Sequence, residues 1–269
     1  MKVVWINPRF LHYRVPVYYE LNKLLDDQLK VIFSDTRVPE DVKVSIENAL
    51  GNNAIALQGE KLSTLRTRKH DFSNVGFNIP FQPGLLKAIT AAKPDVIIAE
   101  GFFQWTPAAF WLRITRGIPL VVAYERTKHT ERNAGVLRTS YRKIIAKYAN
   151  AICCNGILSK EYCTEVLGFP ENHIITGAMA ADTDTIMRSF KNVDDSILQS
   201  LKKKFNLTSP IFLYVGRLIQ PKGLRELLIA WKKYNEISST IGTLLLVGDG
   251  SDRNILEQMV NELKLMNVV

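Results

Sequence analysis

Two patterns of apolar and polar positions alternate along this chain. Short apolar runs at Val3–Asn7, Leu29–Ser34, Asp95–Ala99, Leu120–Ala123, Ala151–Cys154, His173–Ile175, Ile211–Val215 and Thr243–Val247 predict strands. Apolar residues at helical spacing predict helices over Val15–Leu25, around Ala108–Thr115, and over Gly135–Ala149, Lys160–Leu167 and Asp195–Phe205. Residues 35–82 are polar, basic and less regular. Strands and helices that alternate with short connections predict parallel sheets with helices on both faces. The rhythm breaks between residues 177 and 209. The expected organisation is a first domain over 1–176, a connection over 177–209 and a second domain from 210 to 269.

Composition narrows the class. The 269 residues are 46% apolar and 23% charged, the balance of a globular protein with a sizeable core. No apolar run reaches the ~18 residues that suggest a membrane span. The N-terminus turns polar too soon for a signal-peptide core. The three cysteines, Cys153, Cys154 and Cys163, give no disulfide framework, so buried thiols and a reducing, cytoplasmic setting are expected. Metal-ligand spacing is absent, and no metal is expected. The net charge of +9 calls for an anionic partner. No nucleic-acid-binding motif accompanies that charge, so nucleic acid is not expected to be the partner.

The chemistry concentrates in two turns. Ile211–Val215 runs into Gly216-Arg-Leu-Ile-Gln-Pro-Lys-Gly223, and Thr243–Val247 runs into Gly248-Asp-Gly250. Each turn leads into a helical stretch. Ligands of such sheets bind at the carboxyl ends of strands, where helix N-termini attract anions. Arg217 supplies a planar fork and Lys222 a point charge, and with Gly216 and Gly223 they make a diphosphate seat. Gly248, Asp249 and Gly250 repeat the logic, with Asp249 either capping the next helix or leaving its glycines to approach a nucleotide. Neither turn is a G-x-G-x-x-G fingerprint, and no ribose-binding acid follows ~20 residues on, which disfavours a nicotinamide cofactor.

Tyr214-Val-Gly-Arg-Leu218, Lys222-Gly223 and Leu245-Leu-Val-Gly-Asp-Gly250 together resemble the nucleotide-sugar domain of glycosyltransferase family 4. Pro94-Asp-Val-Ile-Ile-Ala-Glu-Gly101 is similar to that family's acceptor-domain strand, and Ala180-Ala-Asp-Thr-Asp184 to its Gly-Val-Asp-Thr-Asp segment. The resemblance implies an α/β, GT-B-like fold: two Rossmann-like, doubly wound parallel-sheet domains facing a cleft, the second incomplete in this chain. It implies transfer of a sugar from a nucleoside-diphosphate donor to a glycan or lipid-linked acceptor, in polysaccharide biosynthesis and with retention. Arg217 and Lys222 would hold the leaving diphosphate, without a cofactor.

The chain departs from the family in places. Its first strand leads into Asn7-Pro-Arg-Phe-Leu-His-Tyr-Arg-Val-Pro16 rather than a glycine-rich loop, which sets Arg9, His12 and Arg14, with Glu100, on the acceptor side. Tyr124-Glu-Arg126 stands where the family often has a histidine, so Glu125 and His129 are the catalytic candidates. The family's later Glu-x7-Glu donor segment has no counterpart here, so a C-terminally truncated chain is expected. Its residues 210–269 would be marginal without a covering chain. An inactive remnant, or a subunit binding an acceptor or partner chain, is the alternative expectation. An epimerase sharing the donor site is another. The basic, tyrosine-bearing stretch Arg126–Tyr148 is expected to reach an anionic membrane surface at the inner face.

Overall fold

The structure is a computed structural model. It describes every residue except 10–12, 66–68, 71–72, 75–76, 178–179, 239, 241 and 266. The chain divides into two compact units, Met1–Asp182 and Thr183–Val269.

The first unit runs β1 (Val3–Ile6), α1 (Arg14–Leu24), β2 (Leu29–Ser34), α2 (Glu40–Leu50) and β3 (Ala54–Leu57). Four strands follow in antiparallel pairs, β4 (Lys61–Leu65) with β7 (Phe77–Phe81) and β5 (Lys69–His70) with β6 (Ser73–Asn74). The alternation then resumes with α3 (Leu85–Ala91), β8 (Val96–Glu100), α4 (Thr106–Arg116), β9 (Leu120–Tyr124), α5 (Val136–Tyr148), β10 (Ala151–Cys154), α6 (Ile157–Glu161) and β11 (Ile174–Thr176). Seven strands make one sheet in the order β11-β10-β9-β8-β1-β2-β3, and the pairs are parallel throughout.

Strand residues alternate between the two faces, as period two requires. Val3, Trp5, Leu29, Val31 and Phe33 join Tyr18 of α1 and Val42 and Ile46 of α2 in one core. Val4, Ile6, Ile32, Ile97 and Ala99 join Ile89 of α3, Leu112 of α4 and Ile145 of α5 in the other. The sheet is therefore doubly wound. Its strand order reverses between β1 and β8, the topological switch point at which such folds bind ligands.

Several elements differ from the sequence expectation. The irregular stretch 35–82 contains α2, whose buried Val42, Ile46 and Leu50 lie at helical spacing. The helix expected from Lys160 starts at Ile157 and widens into a π turn over Tyr162–Val166, which leaves consecutive Tyr162 and Cys163 both buried. Cys154 is buried as well, and Cys153 is half-buried.

In the second unit, α7 (Thr183–Lys191) and α8 (Asp195–Lys204) occupy the stretch expected as a connection. β12 (Ile211–Val215) and β13 (Thr243–Val247) pair in parallel, with α9 (Leu224–Ile237) between them and α10 (Arg253–Glu262) after. Val268 adds one parallel bridge at Leu244. Tyr214, Leu244 and Leu246 pack with Leu228, Trp231 and Leu256 of the helices. Both helices lie on that face. The opposite face is open: Leu213 is 62% and Val215 69% exposed, and no residue of β12, expected to be a buried strand, is fully buried.

Candidate functional site

In the first unit the switch point gathers side chains from β1, α1 and β8. Glu100 ends β8, and its pairing sets it one step past the Ile6–Ala99 register, level with Asn7. Trp5 Nε1 donates to Glu100 Oε1 at 3.1 Å, and Asn7 Nδ2 donates to the same oxygen at 3.4 Å and to the Tyr18 hydroxyl at 3.0 Å. Arg14 begins α1, is buried, and brings Nη2 to 3.6 Å from Glu100 Oε2. Its guanidinium also lies over the Trp5 ring, 5.8 Å from the centroid. Burial raises the Glu100 carboxyl above the ordinary carboxylate range. The Arg14 charge and the Trp5 hydrogen bond oppose that shift, and the charge of Glu125 adds to it. The corner thus offers a carboxyl whose proton is held more tightly than usual beside a buried guanidinium, a pair able to orient hydroxyl groups or hold a proton.

Glu125 is exposed just past β9 and acts on this corner through its charge. His129 is exposed on the next turn, and its backbone carbonyl accepts from Arg132 Nη1 at 2.7 Å. Arg9 is exposed and donates its amide to Asn7 Oδ1 at 3.1 Å; burial lowers the pKa of Arg37 against the opposing charge of Glu60, and the charge of Arg9 adds a smaller lowering. His12 lies outside the described residues. The structure therefore brings Arg14, Glu100 and Glu125 together and leaves His129 on a separate turn.

Sequence reasoning missed what holds the turn after β9. Glu131 is buried between Arg142 Nη2 at 2.7 Å and Arg126 Nη1 at 3.2 Å, and Arg142 Nη1 donates to the Tyr162 hydroxyl at 3.0 Å. The signal was that Glu131 is the single acid from Arg126 to Tyr148. Arg142, expected on a lipid-facing stripe, is 1% exposed and belongs to this ion pair instead. Arg138 lies half-buried with its guanidinium 4.9 Å from the Phe103 ring centroid.

The second unit carries the two glycine turns. Gly216 donates to the Val247 carbonyl and Leu218 to the Asp249 carbonyl, each at 2.9 Å, and Asp252 donates to the Leu218 carbonyl at 2.9 Å. The turns lie so close that a Cβ on Gly248 would overlap the Gly216 carbonyl, and one on Gly250 the Leu218 carbonyl. These glycines serve the packing of turn on turn. Asp249 accepts from its neighbour Gly250 at 2.9 Å and does not cap α10, which begins at Arg253.

The fixed turns present Arg217 and Lys222 outward, both exposed. Lys222 ends a single 3-10 turn, and Gly223, at φ 68°, opens α9 without a side-chain cap. The first amides of α9 are left for an outside acceptor. Glu226, the acid of that first turn, works against an anion there. Two cations and a helix N-terminus suit a diphosphate.

Among the described residues no cluster of three or more His, Cys, Asp or Glu side chains could hold a metal ion, and no helix is long and apolar enough to cross a membrane.

Residues 57–184 match the sequence model of Glycosyltransferase Family 4. Curated proteins give no match by sequence. Among solved structures, the chain resembles Anabaena HepE in complex with UDP and glucose, at 15% identity and a TM-score of 0.68, over 100% of this chain and 68% of that one. A glycosyltransferase from Rickettsia africae matches at 11% identity and a TM-score of 0.63, over 100% and 67% of the two chains. The UDP-GlcNAc 2-epimerase of Methanocaldococcus jannaschii matches at 13% and 0.58, over 100% and 73%. These likenesses establish the α/β fold of the GT-B glycosyltransferases.

Proposed function

We propose that this chain, which over residues 57–184 belongs to Glycosyltransferase Family 4, takes part in moving a sugar from a nucleoside-diphosphate donor to a glycan or lipid-linked acceptor. The observation that carries the reading is the turn Gly216–Gly223. Two exposed cations stand there beside an uncapped helix N-terminus at a strand's carboxyl end. The likeness to HepE in complex with UDP and glucose makes a uridine nucleotide the first donor to try.

Arg217 and Lys222 offset the charge that develops on the departing diphosphate, the electrostatic role assigned elsewhere to bound cations. Gly216 and Gly223 leave room for the phosphates, and Gly248, Asp249 and Gly250 brace that turn from the neighbouring strand. The acceptor lies against residues 1–176, with Arg14 and Glu100 orienting its hydroxyls and Arg9 and His12 beside them. Glu125 and His129 are the catalytic candidates of the first unit. Transfer proceeds with retention, in polysaccharide synthesis at the cytoplasmic face of a membrane that the chain touches peripherally.

The open apolar face of β12 and β13 favours a second reading, in which the chain binds an acceptor or a partner chain and transfers nothing itself. Incubation with UDP-glucose and a set of glycan and lipid-phosphate acceptors, followed by anomeric NMR of the product, separates them. A glycoside with the donor's anomeric configuration supports the proposal. An epimerised nucleotide sugar, or no turnover, contradicts it.

A further inference from the structure

A groove of about 510 Å³ lies at the far end of α5 from the switch point, between that helix and the Leu167–His173 segment. Ala149 and His173, which line it, precede β10 and β11, so it sits at the amino ends of these strands. Ala146, Leu167 and Phe169 form an apolar floor and are buried. Lys143, Lys147 and His173 stand on the rim and are exposed, and no carboxylate lines the groove with them. The closest acid in sequence, Glu171, is engaged by Lys160 at 2.7 Å. The site is therefore cationic at its mouth and greasy at its base.

Its surroundings narrow the ligand. Neither α4 nor α5 contains an aspartate or glutamate. The two helices lie side by side, with Arg113 Nε donating to the Tyr148 carbonyl at 3.1 Å. Trp111, Ile114, Ile144 and Tyr148 project from them, 42–59% exposed, among the exposed cations Arg116, Lys143 and Lys147. A soluble phosphate would use the cations and leave these rings and aliphatics bare. A lipid headgroup uses both, because cations meet the phosphate while aromatic and aliphatic side chains settle at the headgroup boundary.

We propose that this groove seats the phosphodiester of an anionic phospholipid, with the outer faces of α4 and α5 lying on the bilayer. The proposal gives the membrane contact of the preceding section its residues, and it does not depend on sugar transfer. α5 is about 20 Å long at 1.5 Å per residue. Val136 and Leu137, at its other end, are more than four-fifths exposed beside the carboxyl ends of the strands. One contact thus spans from the headgroup groove to the rim where Glu100 and Arg14 lie.

The test is co-sedimentation of the whole chain with phosphatidylcholine vesicles, with and without phosphatidylglycerol. Binding is expected only with phosphatidylglycerol. Lys143→Gln with Lys147→Gln should weaken it at least about tenfold, since each cation near such a surface contributes ~1 kcal/mol. Trp111→Ala should weaken it too, with the circular dichroism spectrum of each variant unchanged. Equal binding to both vesicles, an unaffected double variant, or saturation by millimolar inorganic phosphate without any vesicle binding would overturn the proposal. UDP titration of the same variants reads the donor turn separately, so failure here leaves that turn untouched.

Discussion

Glu100 shows how a single side chain reports on its site. Its carboxyl is mostly enclosed, and burial outweighs the help of Arg14 and Trp5, so its pKa lies above the ordinary range. Between the unfolded and folded values the folded state binds more protons than the unfolded one. The contribution of Glu100 to stability is therefore present at acid pH and lost as pH rises through the folded value. Carboxyl-carbon NMR should find Glu100 titrating higher than an exposed glutamate. Arg14→Gln should push it higher still, because the variant removes the charge that favours the anion. A pKa that stays put in Arg14→Gln would mean the two groups do not act on each other. The resemblance set Arg14 and Glu100 on one side of the cleft, but their direct contact was not legible in the sequence. Arg14 and Glu100 are 86 positions apart by their numbering, and only the meeting of β1 and β8 makes them neighbours.

Among the elements, the two glycine turns divide their labour. The Gly216–Gly223 turn faces outward with its cations, while Gly248 and Gly250 let the second turn press against the first. Gly250→Ala should therefore cost about 1–3 kcal/mol, the range for forcing an atom into a packed site. Thermal unfolding followed by hydrogen exchange should show the loss confined to residues 210–269. A variant as stable as the parent would mean that the turns separate easily. The strands and helices here were legible because their apolar periods are long and clean. α2 and the π turn were not. The acid-rich start of α2 blurs its period, and the widening at Tyr162 shifts a register that a fixed 3.6-residue spacing assumes. The basic stretch of α5 misled in a related way. Arg142 lies next to Lys143, but the buried Glu131 draws it inward and leaves the lysine outside.

For the whole molecule, the alternation of strand and helix predicted parallel sheets wound on both faces, and the seven-stranded sheet has that form. The second unit obeys the same grammar on one face and leaves the other apolar and open. No pattern of residues could have indicated which face its two helices would choose, because both faces of β12 and β13 are apolar. We propose that the second unit binds a nucleoside diphosphate through Arg217 and Lys222. Isothermal titration of the chain with UDP, beside Arg217→Ala, tests it most directly. Losing a charge-assisted hydrogen bond to phosphate costs ~1.5–3 kcal/mol, so affinity should fall at least about tenfold in the variant. No UDP binding by the parent chain, or equal affinity in both, would contradict the assignment of this turn as the donor site.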